Sequence, residues 1–157
     1  MEAARETLGL PLKVARQANS GANAARNRAM GMTDAPLLLF LNDDSIADPG
    51  LVAEHLRQHA IHPGEAEAVL GALAPQADPP PGLFERLHHD HRFDTLPEGH
   101  EVGWTAFFTY NVSVKSALLR RHGGFDEGLR WHEDIELSSR LRPDGLRIYY
   151  APAARAA

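Results

Sequence analysis

The chain has 157 residues, with 16 basic and 21 acidic side chains and 43% apolar residues, which suffices for one domain with its own core and is too little for two. Its formal charge of -5 and its scattered arginines and lysines give no basic field that would gather the phosphates of a nucleic acid, so no nucleic-acid partner is expected. The absence of cysteine excludes disulfides, thiolate nucleophiles and Cys-based zinc sites, fits a reducing compartment, and leaves the chemistry to carboxylates, imidazoles and hydroxyls. The longest apolar run, Ala35 to Leu41, falls well short of the roughly 20 residues that cross a bilayer, and Met1 to Glu6 lacks the pattern of a signal peptide.

In chain order, Leu10 to Val14 reads as a short strand, and Asn19-Ser20-Gly21 as a turn with a helix cap leading into a helix over about Ala22 to Met32. Leu37 to Leu41 is uniformly apolar, the pattern of a central strand covered on both faces, and it ends in Asn42-Asp43-Asp44-Ser45. Asp48-Pro49 then caps a helix running from Pro49 to about His62. Glu67 to Ala74 reads as a strand, Pro75 to Gly82 as a stiff loop, and Leu83 to His91 as a short helix. The aromatic and β-branched stretch Val102 to Val112 should contain a strand, followed by a helix from about Val114 that stops at Gly123-Gly124. Glu133 to Arg142 has acids in its first turn and arginines in its last, as a helix dipole favours, and Leu146 to Tyr150 reads as a closing strand. Alternating helices and strands argue for an α/β layered domain spanning the whole chain, with no internal repeat.

Chemistry is expected where the apolar run discharges into Asn42-Asp43-Asp44, because ligands of open α/β sheets bind beyond the carboxyl ends of strands. Two adjacent carboxylates there suit a hard cation such as Mg²⁺ or Mn²⁺; the alternative is that they are turn and capping residues. A phosphoryl-transfer nucleophile at Asp43 is ruled out by the pattern, since the positions two and four residues on are Ser45 and Ala47 rather than an acid and a hydroxyl. Glu133 and Asp134 at a helix start are either dipole-stabilising acids or, beside Trp131 and His132 and after Gly124-Phe125-Asp126-Glu127, a general base near a sugar hydroxyl. Asn19-Ser20-Gly21 before Ala25-Arg26-Asn27 is a cap or an anion site. The histidines His55, His59 and His62 fall on one side of their helix and read as a solvated flank, as do His88, His89 and His91. Trp104, Phe107 and Phe108 either line an acceptor pocket or pack in the core, the commoner use of aromatics on a strand.

Together, Asn19-x-Gly21, Ala25-Arg26-Asn27, Leu37 to Asp44, Thr109-Tyr110-Asn111, Gly124 to Glu127 and Glu133 to Leu137 resemble the successive motifs of family 2 glycosyltransferases over about Val14 to Pro152. The resemblance implies a GT-A fold, a Rossmann-like mixed sheet flanked by helices, and transfer of a sugar from a nucleotide donor, a UDP- or dTDP-sugar, to a saccharide or lipid-linked acceptor hydroxyl with inversion. It implies Asp44, with Asp43, as ligands of Mn²⁺ or Mg²⁺, Asp134 as the catalytic base and Glu133 beside it to orient the acceptor. Asn19, Gly21, Arg26, Asn27, Asn42 and Asp43 match donor positions, and Thr109, Asn111, Trp131 and His132 match positions around the acceptor and sugar. Asn42 stands where the family often has aspartate.

The same resemblance implies that the family's first β-α-β unit, which holds the nucleotide base, is missing from this chain, so that it corresponds to the later part of a larger sheet. The alternative is a catalytically inactive glycosyltransferase-like fragment acting as a binding or scaffolding domain. The expected location is cytoplasmic, or peripheral at the inner face of the membrane if the acceptor is lipid-linked, although no amphipathic basic helix argues for membrane contact.

Overall fold

Residues 11–73 and 96–157 are described in a computed structural model. Their elements in order are α1 (Ala22–Gly31), β1 (Leu37–Leu41), α2 (Leu51–Ile61), β2 (Glu67–Leu73), β3 (Glu101–Val102), β4 (Asn111–Lys115), α3 (Ser116–Arg121), α4 (Glu133–Leu141) and β5 (Arg147–Ala156), with single turns of 3₁₀ helix at Trp104–Ala106 and Arg142–Asp144. The described strands form one mixed sheet in the order β1-β4-β2-β5-β3, in which only β2 and β5 are parallel. The α/β layered reading is therefore correct.

Alternation along the inner strands builds the two layers. Ala68 and Leu70 of β2, Val112 and Val114 of β4, and Ile148 and Tyr150 of β5 meet Leu118, Leu119, Leu137 and Leu141 from α3 and α4, together with Met30, Phe107 and Phe125, in the main core. On the opposite face Val69, Ala151 and Ala154 are buried, and α2 turns Leu51, His55, Gln58 and His59 inward. The aliphatic core residues Leu118, Leu119, Leu137 and Leu141 are fully buried; truncating any one to alanine removes about 2–5 kcal/mol, a large share of a small domain's stability.

Several expectations are corrected. Residues 11–14 are exposed coil rather than a strand, as befits a segment that opens on Pro11, which has no N–H to pair. β1 borders the described sheet instead of lying at its centre, pairing antiparallel with β4, and all five of its residues are half-buried; an apolar run reports that both faces are covered, not how many neighbours a strand has. The α2 helix begins at Leu51 with Gly50 at its N-cap, Asp48 instead accepting the Leu51 N–H through its backbone carbonyl. The aromatic stretch is mostly loop and 3₁₀ turn, and β4 runs on to Lys115, delaying the next helix to Ser116. The alanine-rich end belongs to β5, whose register against β2 jumps from Gly71↔Ala151 to Ala72↔Arg155. The expected loop Pro75 to Gly82, the helix Leu83 to His91 and its histidines lie outside the described residues.

The α2 histidines are not a solvated flank. His55 and His59 are 3% and 5% exposed, and they join a continuous polar ladder along the outward-alternating side of β4. Asn111 donates both amide hydrogens, to the carbonyls of Ala72 (3.0 Å) and Ala154 (2.8 Å), so its oxygen faces His55 Nε2 at 2.9 Å. His55 Nε2 must then carry the proton, and Nδ1 accepts from the Ser113 hydroxyl at 2.7 Å. His59 Nε2 donates to the same oxygen at 2.9 Å, while its Nδ1 accepts from Lys115 Nζ at 2.8 Å. The two links in which Nδ1 accepts, from Ser113 and from Lys115, each require a neutral ring.

Burial, then the neighbouring Lys115 charge and His55, push His59 down to about 4. Burial likewise holds His55 below the ordinary imidazole value despite the Asn111 hydrogen bond and nearby Glu54. The unfolded chain therefore binds protons that the fold refuses. This contribution is fully present above about pH 6.5 and is lost as the pH falls from there towards 4, by on the order of 3 kcal/mol for His59 alone. Urea denaturation across that window should show stability falling with acid, with a slope reduced in His59→Gln; an unchanged slope in that variant would refute the assignment.

Candidate active site

Several of the sequence motifs meet along α1. Gly21, with φ +89°, precedes the helix, and its N–H is held by the Asn19 side chain at 3.1 Å, so Asn19 shapes the turn without capping the helix by its side chain. In the first turn of the helix, Asn23 is buried and donates to the carbonyls of Asp126 (2.8 Å) and Leu129 (3.1 Å). Asn27 donates to the Phe125 carbonyl (2.8 Å) and to Glu127 (2.9 Å), and its oxygen accepts the Phe125 N–H (2.9 Å). Gly124 has φ +75°, and a Cβ there would run into that Asn27 oxygen, so the glycine of the Gly-Phe-Asp-Glu motif is required twice over. Asp126 closes the turn by accepting the Gly128 N–H at 2.8 Å.

Arg26 lies between these asparagines. Its Nη1 donates to Glu133 Oε1 (2.8 Å) and Asn23 Oδ1 (3.2 Å), its Nη2 donates to Thr109 Oγ1 (3.1 Å), and its guanidinium lies 5.3 Å from the centre of the Phe125 ring. Glu133 opens α4, directly after His132, whose φ of +61° is the sole positive value at a non-glycine position among the described residues. Such backbone costs about 1–3 kcal/mol and collects at functional sites. Partial burial pushes the Glu133 carboxyl up, but the hydrogen bonds from Arg26 and from its own N–H, with the charges of Arg26 and His132, outweigh it and hold the carboxyl below its ordinary value. Asp134 accepts the Ile135 N–H at 2.9 Å and makes no ion pair among the described residues. Trp131 is 80% exposed.

Beside this cluster opens a cavity of about 620 Å³, walled on one side by residues 19–23 and on the other by residues 127–130 and Glu133. Asn19, Gly21 and Glu133 thus reach it, with Arg26 behind. The acidic turn is not part of its wall. Asn42 N–H donates to the Tyr110 carbonyl at 3.4 Å, next to Thr109 and hence to Arg26, while Asn42, Asp43 and Asp44 are exposed. The strand end of β5 braces the following segment through paired Ile46 and Ala157 backbones.

Two matched acceptor positions are buried and bonded within the protein. Asn111 has no exposed surface and spends its amide on the ladder with His55, so it braces the sheet, and Thr109 is buried on Arg26. Sequence reasoning missed Asn23, whose signal is its place three and four residues before Arg26 and Asn27. It also missed the ladder, whose signal is the coincidence of His55 and His59 one helical turn apart with polar residues at the alternate positions 111, 113 and 115.

No group of three or more metal-ligating side chains occurs among the described residues. Two exposed carboxylates on one turn nevertheless suit Mg²⁺ or Mn²⁺ in nucleotide sites, where the protein gives one or two carboxylates and substrate phosphates and water complete the shell.

Similarity to known proteins agrees with this architecture. TarS 1-349 of S. aureus in complex with UDP superposes with a TM-score of 0.73 over 99% of this chain and 44% of that one, at 17% identity. The fold is that of the GT-A glycosyltransferases. A second GT-A-like structure, GalNAc-T7 with UDP, GalNAc and Mn²⁺, gives a TM-score of 0.69 over 99% of this chain and 33% of that one, at 13% identity. In sequence, validoxylamine A glucosyltransferase of Streptomyces hygroscopicus subsp. jinggangensis (strain 5008) is 34% identical over 150 residues, covering 78% of this chain and 35% of that protein. The chain thus spans about a third of the length of the curated relatives it matches. No family model matches it. Among the described residues no helix of this GT-A fold is long and apolar enough to cross a membrane.

Proposed function

We propose that the chain supplies the acid pair, the cation-binding turn and part of the donor cavity of an inverting glycosyltransferase that moves a sugar from a UDP- or dTDP-linked donor to an acceptor hydroxyl. The observation that carries this reading is the meeting of Glu133, at the head of α4, with the cavity at the start of α1 through Arg26, in a chain 34% identical to a glucosyltransferase. An acceptor hydroxyl ionises far above neutral pH and must lose its proton as it attacks. Asp134 takes that proton while the acceptor oxygen bonds to the anomeric carbon from the face opposite the departing diphosphate. One displacement of this kind inverts the anomeric centre and needs no enzyme nucleophile, in keeping with a chain without cysteine. Asp44 and Asp43 would hold a divalent cation, which when bound supplies positive charge against the diphosphate. Glu133 orients the acceptor, and the exposed ring of Trp131 offers an apolar face to a sugar.

The test is release of nucleoside diphosphate from a panel of UDP- and dTDP-hexoses by the full-length protein. Turnover is expected with Mn²⁺ or Mg²⁺ and should fall to background in EDTA, returning when the metal is restored. Turnover that persists in EDTA overturns the role of the acidic turn. A folded protein without turnover on any donor would favour the binding or scaffolding alternative.

A further inference from the structure

We propose that Arg26 is the positioning residue that divides labour between the adjacent acids: it holds Glu133 as a fixed anion and thereby leaves Asp134 as the carboxylate that accepts the proton. The inference rests on the glycosyltransferase reading and goes beyond it by giving Arg26 a role on the protein rather than on the donor.

Three observations carry it. The guanidinium is already committed to three oxygens on three parts of the chain, Asn23 Oδ1, Thr109 Oγ1 and Glu133 Oε1, and its carbon lies over the Phe125 ring. Only a planar fork meets acceptors so arranged; a lysine ammonium has the charge without the geometry. The ion pair is largely shielded, the two side chains being 22% and 20% exposed, so the carboxylate is less screened than in a surface pair. Finally, consecutive helical residues point about 100° apart around the axis, so fixing Glu133 towards Arg26 turns Asp134 away from it, and Asp134 forms no ion pair among the described residues. The left-handed backbone at His132 sets the angle at which this pair enters α4.

Carboxyl-labelled glutamate followed by NMR titration tests the clamp without recourse to activity, with Glu133→Gln identifying the resonance. In the unaltered protein Glu133 should titrate below an ordinary glutamate, and in Arg26→Ala it should move up to or beyond the ordinary value. Arg26→Lys guards against an alanine variant that does not fold: it should keep part of the depression while losing the alignment. In turnover assays of the full-length protein both variants should lower kcat by roughly 10²-fold, as misplaced catalytic groups do, with the donor KM little changed, and free guanidinium should restore part of the Arg26→Ala rate. An unmoved Glu133 titration overturns the clamp. A raised donor KM at unchanged kcat also overturns it, by putting Arg26 on the donor. Absence of turnover in the unaltered protein overturns the transferase reading itself, and the titration then judges the Arg26–Glu133 tie alone.

Discussion

Asp134→Asn is expected to lower sugar transfer by roughly 10²–10⁴-fold, the usual worth of a positioned general base, while leaving donor affinity within a factor of about two. Asparagine has nearly the shape of aspartate and keeps an oxygen for the Ile135 N–H at the head of α4, so loss of fold is not the expected cause. Its amide cannot take a proton from the acceptor. The comparison with Glu133→Gln sharpens the result. Glu133 is the partner of Arg26, and its loss strands a half-buried cation next to Thr109, so that variant should weaken folding as well as rate. Measuring nucleotide release beside donor binding separates the cases: a fall in binding that matches the fall in rate would remove Asp134 from the role of base.

The second large effect lies on the other face of the sheet. Asn111→Ala leaves the His55 N–H and the carbonyls of Ala72 and Ala154 without their partner, and with each buried orphan costing about 1–3 kcal/mol the loss should be about 3 kcal/mol or more. Gly71→Ala should cost about 1–3 kcal/mol for a different reason, overpacking, because a Cβ at Gly71 would collide with the Asn111 amide and the Ala154 carbonyl. The two changes share one space, so the double variant should be less destabilised than the sum of the singles. Additivity within about 0.5 kcal/mol in urea denaturation near neutral pH would mean that the sites are independent, contrary to the contact.

Much of the architecture was legible because the signals were local. The acids and arginines of Glu133 to Leu141 mark a helix by themselves, and Gly21 and Gly31 bracket α1. The failures share a cause: local pattern does not report the partner. Leu37 to Leu41 reads as apolar whether it borders a sheet or lies within it, and the alanines of β5 become a strand only because Gly71 and Asn111 admit its irregular register. Within the site, the motif positions were visible but several jobs were not. Asn27 and Asn111 are polar residues in conspicuous motifs, and the structure spends both on holding backbone. His55 and His59 read as surface residues from the sequence because nothing in α2 alone announces the polar positions of β4 that receive them.

The reach of α1 also bears on how the protein comes into being during synthesis. Asn23, Asn27 and Arg26 bond to residues 98 to 107 positions later, with only Thr109 slightly nearer at 83. A helix whose polar face waits for partners so far downstream cannot complete the site until α4 has left the ribosome, and loop closure over such distances slows folding. The cavity is therefore among the last features to form, and a nascent chain stopped short of Glu133 would present Arg26 with no carboxylate from α4 to meet it.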